Sequence, residues 1–350
     1  MSEVPALAPT IARTQPVDAK IRGDIGIITL TRTTALNALT TPMIEHISAA
    51  LQRWEASGLR AIVLQSASPK AFCAGGDIRA IREHSLAGDP DASERFFATE
   101  YELNARIAEY RIPFVSLIDG ICMGGGMGLS VHGHFRVVSG NASMSMPETG
   151  IGFFPDVGAS YFLPRLPGSL GMYLGLTGAR ISAADAVHAG LATHFIGSST
   201  IASVPEALAG QPDIPVDQIL RSLSPGNLGG ESDLARQRAH IDRCFSASTL
   251  EGIDERLAAT AGSWASATRN NLRRLSPQSL RLTHDLLAWG KQRNLRDCLA
   301  MELQLTRHVI KTPHFIEGVR AALVDKDRNP VWGESRFLRL SPEGTSLWKR

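Results

Sequence analysis

The chain has 350 residues, 43% hydrophobic and 20% charged, with a formal net charge of +2. These values suit a globular enzyme with a sizeable core, and the scattered basic residues exclude a nucleic-acid-binding stripe while leaving room for a local basic rim. No apolar run of about 18 residues long enough to span a membrane occurs, and the four cysteines, Cys73, Cys122, Cys244 and Cys298, show no CxxC spacing, which points to a reducing compartment without structural zinc.

The first twenty residues lack the charged start and apolar segment of a secretory leader and read as a frayed tail. Residues 25–31, IGIITLT, form a β-branched run suited to a buried strand. Thr41-Pro42 then reads as a helix start, and Ile44, Ile47, Leu51 and Trp54 repeat along one helical face. Residues 61–65 give the next strand. Strand, helix and strand in this order predict a parallel unit with a right-handed crossover. That second strand runs into a Gly-rich loop, AFCAGGD, at 71–77.

Residues 91–110 predict an amphipathic helix in which Phe96, Leu103, Ile107 and Tyr110 share a stripe interrupted by Glu100. A carboxylate on an apolar face reaches water at its edge, finds a partner, or faces a site. Pro113 stops the helix, and 114–118 is the next strand. It ends at an Asp119-Gly120 turn followed by Gly124, Gly125, Gly126 and Gly128. Such glycines serve close helix packing. They also permit a helix start whose unpaired N–H groups face an anion or a polarised oxygen. No GxGxxG or GxxxxGK[ST] spacing supports a dinucleotide or P-loop site. The second Gly-rich loop upstream favours the polar reading, with each loop giving one N–H to a single oxyanion.

Short strands are expected at 135–139 and 143–146. The stretch MPETGIGFFPDVGASYFLPRLPG, 146–168, is too apolar for a solvated loop and too broken for a helix. It fits the wall of a pocket, carrying Glu148 and Asp156. Ser182 caps a short helix that stops at Gly190, and 194–196 closes the alternating part. The Ser, Pro and Gly clusters of 197–230 read as a connecting segment. Helices are expected near 232–243, 263–274, 277–290, 294–310 and 315–325, with Ser276-Pro277 starting the third. The chain thus divides into a tail (1–20), an α/β core (21–200), a connector (201–230) and a helical region (231–350). No sequence repeat of 20–50 residues is visible.

Other reactive side chains carry less. His132, His134, His188 and His194 lack the spacing of a metal pair, and packing or surface roles are favoured. Cys73 beside the first loop reads as a small buried filler. Ser143, Ser145 and Ser160 lack a GxSxG elbow.

AFCAGGDIRAI (71–81) and DGICMGGGMGLS (119–130) resemble the two oxyanion loops of the crotonase (enoyl-CoA hydratase/isomerase) superfamily. EYELN (100–104), GLSVHGHFRV (128–137), MPETGIGFFPDVG (146–158), YFLPRLPG (161–168), CFSA (244–247) and EGVRAALVDKDRNPVW (317–332) resemble its hydrolase branch more specifically. The resemblance spans about 22–332 and implies an α/β fold, a crotonase-type ββα spiral core followed by a helical region.

It also implies Gly76 and Gly125 as backbone oxyanion donors, Glu148 and Asp156 as catalytic acids, and Glu100 as a substrate-contacting group. Ala74, Asp77 and Ile78 are their substrate-binding neighbours. The implied activity is hydrolysis of a 3-hydroxyacyl thioester, 3-hydroxyisobutyryl-CoA first and 3-hydroxypropionyl-CoA second. The implied partner is a small acyl-CoA, with no cofactor beyond the CoA the substrate carries, no metal, no nucleic acid and no membrane. A homo-oligomer and a bacterial cytoplasmic location are further expectations.

Hydratases of the superfamily keep a second catalytic glutamate two residues after the triple glycine. Gly128 stands there, which speaks against a hydratase or isomerase and is expected to leave room at that wall. A non-catalytic acyl-CoA-binding subunit is the remaining alternative. Lys291, Arg293, Lys326 and Arg328 are candidates for the CoA phosphates, with a solvated helix face as the default for all four.

Overall fold

The apolar runs at 25–30, 61–66 and 114–118 are buried at almost every residue, as strands covered on both faces must be. They are the middle of a six-stranded sheet in a computed structural model that describes residues 15–225, 230–334, 338–340 and 346–348. Strand β1 (Val17–Arg22) pairs antiparallel with β2 (Ile25–Leu30). Parallel neighbours then follow in the order β3 (Ala61–Ser66), β5 (Phe114–Ile118), β7 (Phe135–Val138) and β9 (His194–Phe195). Three short strands, β4 (Ala71–Cys73), β6 (Ile121–Met123) and β8 (Ser143–Ser145), form a second parallel sheet.

Each large-sheet strand from β3 to β7 therefore hands the chain to a small-sheet strand and then to a helical turn. This ββα unit repeats in space although no repeat shows in the sequence. Between successive units run helices α1 (Thr41–Trp54), α2 (Ile78–Ala87), α3 (Pro90–Glu109) and α4 (Gly125–Val131). A 3-10 turn at Glu148–Ile151 follows β8, and α5 (Ala159–Phe162), α6 (Leu170–Thr177) and α7 (Ala183–His188) lead to β9. The β2–α1–β3 segment is the parallel crossover expected from its pattern.

Period-2 alternation sends Ile28, Leu30, Ile62 and Leu64 to one side of the sheet, and Ile25, Ile27, Val63 and Val115 to the other. The second side is covered by α8 (Val204–Ala209) and α9 (Val216–Leu223), through Val204, Leu208, Ile219 and Leu220. The 201–230 segment is thus part of the core rather than a connector; its residues 226–229 lie outside the described residues. The tail also differs from expectation, because β1 begins at Val17; residues 1–14 lie outside the described residues.

The last third is helical as expected: α10 (Asp233–Phe245), α11 (Leu250–Ala258), α12 (Ser263–Leu272), α13 (Pro277–Gly290), α14 (Leu295–Val309) and α15 (Pro313–Val319). Ser276 caps α13, accepting from the Ser279 N–H at 3.1 Å, with Pro277 in the first turn. Helix α11 had no counterpart among the expected helices. The end of the region is not helical, since Leu338–Leu340 pairs antiparallel with Ser346–Trp348. Helix α14 packs on α3, and α15 packs on α2 and the Glu148 turn, so the helical region closes over the C-terminal ends of the small-sheet strands. No helix among the described residues is long and apolar enough to cross a membrane.

Candidate active site

Three successive small-sheet strands end at one place. The loop after β4 carries Gly76, the turn after β6 carries Gly125, and the turn after β8 carries Glu148. Parallel strands that finish together present their C-terminal ends as one crevice. The crevice is a cavity of about 400 Å³, lined among others by Ala74, Gly76, Asp77, Ile78, Glu100, Gly125, Glu148 and Asp156. The eight catalytic and acyl-binding residues expected from the sequence all line it.

The backbones of Gly76 and Gly125 come together on its wall. The Leu39 N–H donates to Gly75 O at 2.8 Å, and the Asp77 N–H donates to Leu39 O at 2.9 Å. In such a parallel bridge the intervening Gly76 N–H points to the opposite edge. Gly125 is the first residue of α4, where N–H groups have no intrahelical acceptor. A Cβ built on Gly125 would stand 3.4 Å from the Gly76 nitrogen and would collide with Glu100 Oε1. Gly124, at φ +48° and ψ −117°, takes a backbone conformation that favours glycine, and a Cβ there would stand 2.8 Å from Glu148 Oε1.

The acids are buried. Glu100, Glu148 and Asp156 are 2%, 6% and 5% exposed, too little for any of them to be a solvated edge residue. Glu100 Oε1 and Glu148 Oε2 have no hydrogen-bond partner among the described residues. Asp156 Oδ2 accepts from the Tyr101 hydroxyl at 2.7 Å. Burial, and then the charge of Asp156, hold Glu100 well above the usual carboxylate range. Burial, Asp156 and Glu100 together push Glu148 up as well. Asp156 is raised by burial to about 7, with the Tyr101 hydrogen bond opposing the rise. Carboxyls this close share protons, so their ionisation steps belong to the cluster. The N-terminus of α4 beside Glu148 favours its charged form.

Gly128 corrects one expectation. Its position is no empty wall: a Cβ there would stand 2.7 Å from Val157 Cβ and 2.9 Å from Asn104 Nδ2. The space a longer side chain would need is filled from α3 and from the loop after Asp156.

Other candidates have ordinary partners. Cys73 is buried, its Sγ donates to Asn37 O at 3.1 Å, and burial pushes the thiol well above its usual value. His132 Nε2 meets the Val157 carbonyl at 2.7 Å, and His134 Nδ1 accepts from the Phe114 N–H at 3.3 Å. His194 lies 3.3 Å from Asp217. Ser143 and Ser145 lie in the small sheet, while Ser160 bonds Glu302. Asp77 is tied to Arg32 at 2.9 Å, and the Ala74 N–H donates to Leu36 O.

None of Lys291, Arg293, Lys326 and Arg328 lines the cavity; Leu323 does, three residues before Lys326. The sequence reading missed Arg32, Arg79, Tyr101, and the aromatic wall of Phe97 stacked on Phe153 at 5.6 Å. Tyr101 carried a signal, since it adjoins Glu100 on the same helix. Arg32 carried none.

A family model described as enoyl-CoA hydratase/isomerase matches residues 25–345. The 3-hydroxyisobutyryl-CoA hydrolase, mitochondrial, of Danio rerio is 44% identical over 328 residues, covering 92% of this chain and 86% of that protein. A carnitinyl-CoA dehydratase structure from Mycobacterium thermoresistibile is 37% identical with a TM-score of 0.85, covering 91% of this chain and 92% of the other. An enoyl-CoA hydratase structure from Rhodobacter sphaeroides 2.4.1 is 38% identical with a TM-score of 0.84, over 91% and 93%. The chain belongs to the enoyl-CoA hydratase/isomerase family.

Proposed function

We propose that the protein hydrolyses the thioester of 3-hydroxyisobutyryl-CoA, releasing 3-hydroxyisobutyrate and CoA. The observation that carries this reading is the filled space at Gly128, in a chain whose Gly76, Gly125 and Glu148 line one cavity. Adding water across a double bond draws on two acid–base groups, and here the second position is closed by Val157 and Asn104. The name of the Danio rerio relative supports the same reading.

In this reading the thioester oxygen sits between the Gly76 and Gly125 N–H groups. Each such donor contributes roughly 10²–10³ in rate, because it is already aimed where negative charge develops. Glu148 supplies the carboxylate, either by taking a proton from the attacking water or by attacking the carbonyl itself. Both routes pass through an oxyanion whose collapse expels the CoA thiolate; on the second, water then hydrolyses the mixed anhydride, releasing 3-hydroxyisobutyrate and freeing Glu148. Asp156, raised to about 7, is poised to hold a proton for the departing sulfur near neutral pH. Glu100, buried in the same cavity with Oε1 unpartnered among the described residues, is placed to hydrogen-bond the substrate 3-hydroxyl. The Phe97 and Phe153 rings and Ile151 pack the apolar part of the acyl group. The four cysteines, all free and buried, fit the reducing environment of a bacterial cytoplasm.

The structures titled hydratase and dehydratase favour a second reading, addition and elimination at an enoyl thioester. One experiment separates the two. Purified protein is given 3-hydroxyisobutyryl-CoA, with free thiol followed by a chromogenic reagent, and crotonyl-CoA, with enoyl absorbance followed in parallel. Thiol release with crotonyl-CoA untouched is expected. Enoyl loss without thiol release would establish the hydratase, and silence in both with the ester bound would mark a binding subunit.

A further inference from the structure

The loop that carries Asp156 is strained and gripped from outside the α/β core. Val157 has φ +53°, a region that β-branched residues rarely enter, and Gly158 follows at φ +84°. Glu302 of α14 lies against this loop, fully buried. Its Oε2 accepts from the Gly158 N–H at 2.7 Å. Its Oε1 accepts from the Ser160 N–H at 3.0 Å and from the Ser160 hydroxyl at 2.5 Å. Strained backbone of this kind persists only where the surroundings over-determine it. Three hydrogen bonds from one loop to one buried carboxyl group supply that constraint.

We propose that Glu302 is a positioning residue for the thioester hydrolysis, holding the 156–160 loop so that Asp156 enters the cavity and Val157 seals the space at Gly128. The inference rests on the function proposed above. It follows from where the bonds go: the three donors that Glu302 satisfies lie two and four residues after Asp156. Burial raises the Glu302 carboxyl to about 8, and the Ser160 and Gly158 hydrogen bonds work against that rise. A glutamine at 302 would turn an amide N–H₂ toward one of the loop donors and release that contact.

The test compares Glu302→Gln, Ser160→Ala and Leu305→Ala by kcat, KM and Tm with 3-hydroxyisobutyryl-CoA. Leu305 is a buried residue of the same helix that serves as the stability control. Small displacements of a reacting group cost about 10²-fold in rate. Glu302→Gln is expected to lower kcat by about that factor with KM changed less than about threefold, and Ser160→Ala, which removes one of the three bonds, by a smaller factor. Leu305→Ala is expected to lose as much Tm and keep kcat within about twofold. If Glu302→Gln does not fold, Ser160→Ala decides by its own kcat. Unchanged kcat in the folded loop variants, or an equal kcat loss in Leu305→Ala, overturns the inference while the function stands. Wild-type protein that releases no thiol overturns both.

Discussion

Restoring a side chain at Gly128 perturbs the feature that separates the two chemistries. Carbon atoms in contact sit about 3.5–4.0 Å apart, whereas a Cβ at 128 would stand 2.7 Å from Val157 Cβ. One of the two must therefore move by about 1 Å. Val157 cannot yield by a rotamer change, because its Cβ is fixed to a backbone already at φ +53°. Asn104, 2.9 Å away through Nδ2, is buried on α3 and bounds the other side. Overpacking of this kind costs about 1–3 kcal/mol, so Gly128→Ala should lower Tm by a few degrees. Because Val157 adjoins Asp156, kcat for thiol release should fall about tenfold or more. Gly128→Glu adds another buried carboxyl and should be less stable still, without hydrating crotonyl-CoA. Thermal unfolding and the paired thiol and enoyl assays measure both. A Gly128→Glu protein with wild-type Tm that hydrates crotonyl-CoA would refute the reasoning from space.

The acid cluster makes stability depend on pH in a defined direction. Asp156 is raised from 3.8 to about 7, so between those values the folded chain binds a proton that the unfolded chain has lost. Stability from this group is complete below about pH 4 and is lost as pH rises through 7. Asp156→Asn, which keeps an acceptor for Tyr101, should therefore be more stable than wild type at pH 8, by at most about 4 kcal/mol at 1.36 kcal/mol per unit. The advantage should vanish at pH 4; a pH-independent difference in urea unfolding would contradict this. The same cluster predicts that wild-type kcat/KM falls as pH rises through about 7, when Asp156 loses the proton it holds for the departing thiolate. A flat profile between pH 5 and 8 would contradict it. Cys73→Ser should keep kcat within about threefold, because the thiol is buried, protonated and bonded to Asn37 O. A loss of 10²-fold would make Cys73 a participant.

Much of the site was legible because its residues break local rules. Glu100 interrupts an apolar stripe, and the two Gly-rich loops follow strands. Glu148 and Asp156 sit in a segment too apolar for a solvated loop. Each anomaly has a structural counterpart: an acid 2% exposed, two glycine backbones brought together, and an acid-lined cavity. Glu302 breaks no rule. In MELQLTRH it reads as an ordinary helix glutamate, and its partners lie 142 and 144 residues earlier. Helices α8 and α9 were hidden for a different reason. Their flanking Pro, Ser and Gly residues suggested a linker, yet the strands at 25–30 and 61–66 are apolar on both faces and require cover on each. The ββα repeat is a repeat of topology, and its units share too little sequence to show a period.

The central claim is that Glu148 drives thioester cleavage at an oxyanion hole that binds the ester independently of it. The most direct measurement is the single-turnover rate of thiol release by Glu148→Gln, alongside binding of a non-hydrolysable ketone analogue of 3-hydroxyisobutyryl-CoA, in which CH2 replaces the sulfur and the carbonyl is kept. The loss of a catalytic acid–base group corresponds to about 10²–10⁴ in rate, so the rate should fall by at least about 10² while the analogue's Kd stays within about threefold. Thiol release at the wild-type rate would contradict the claim.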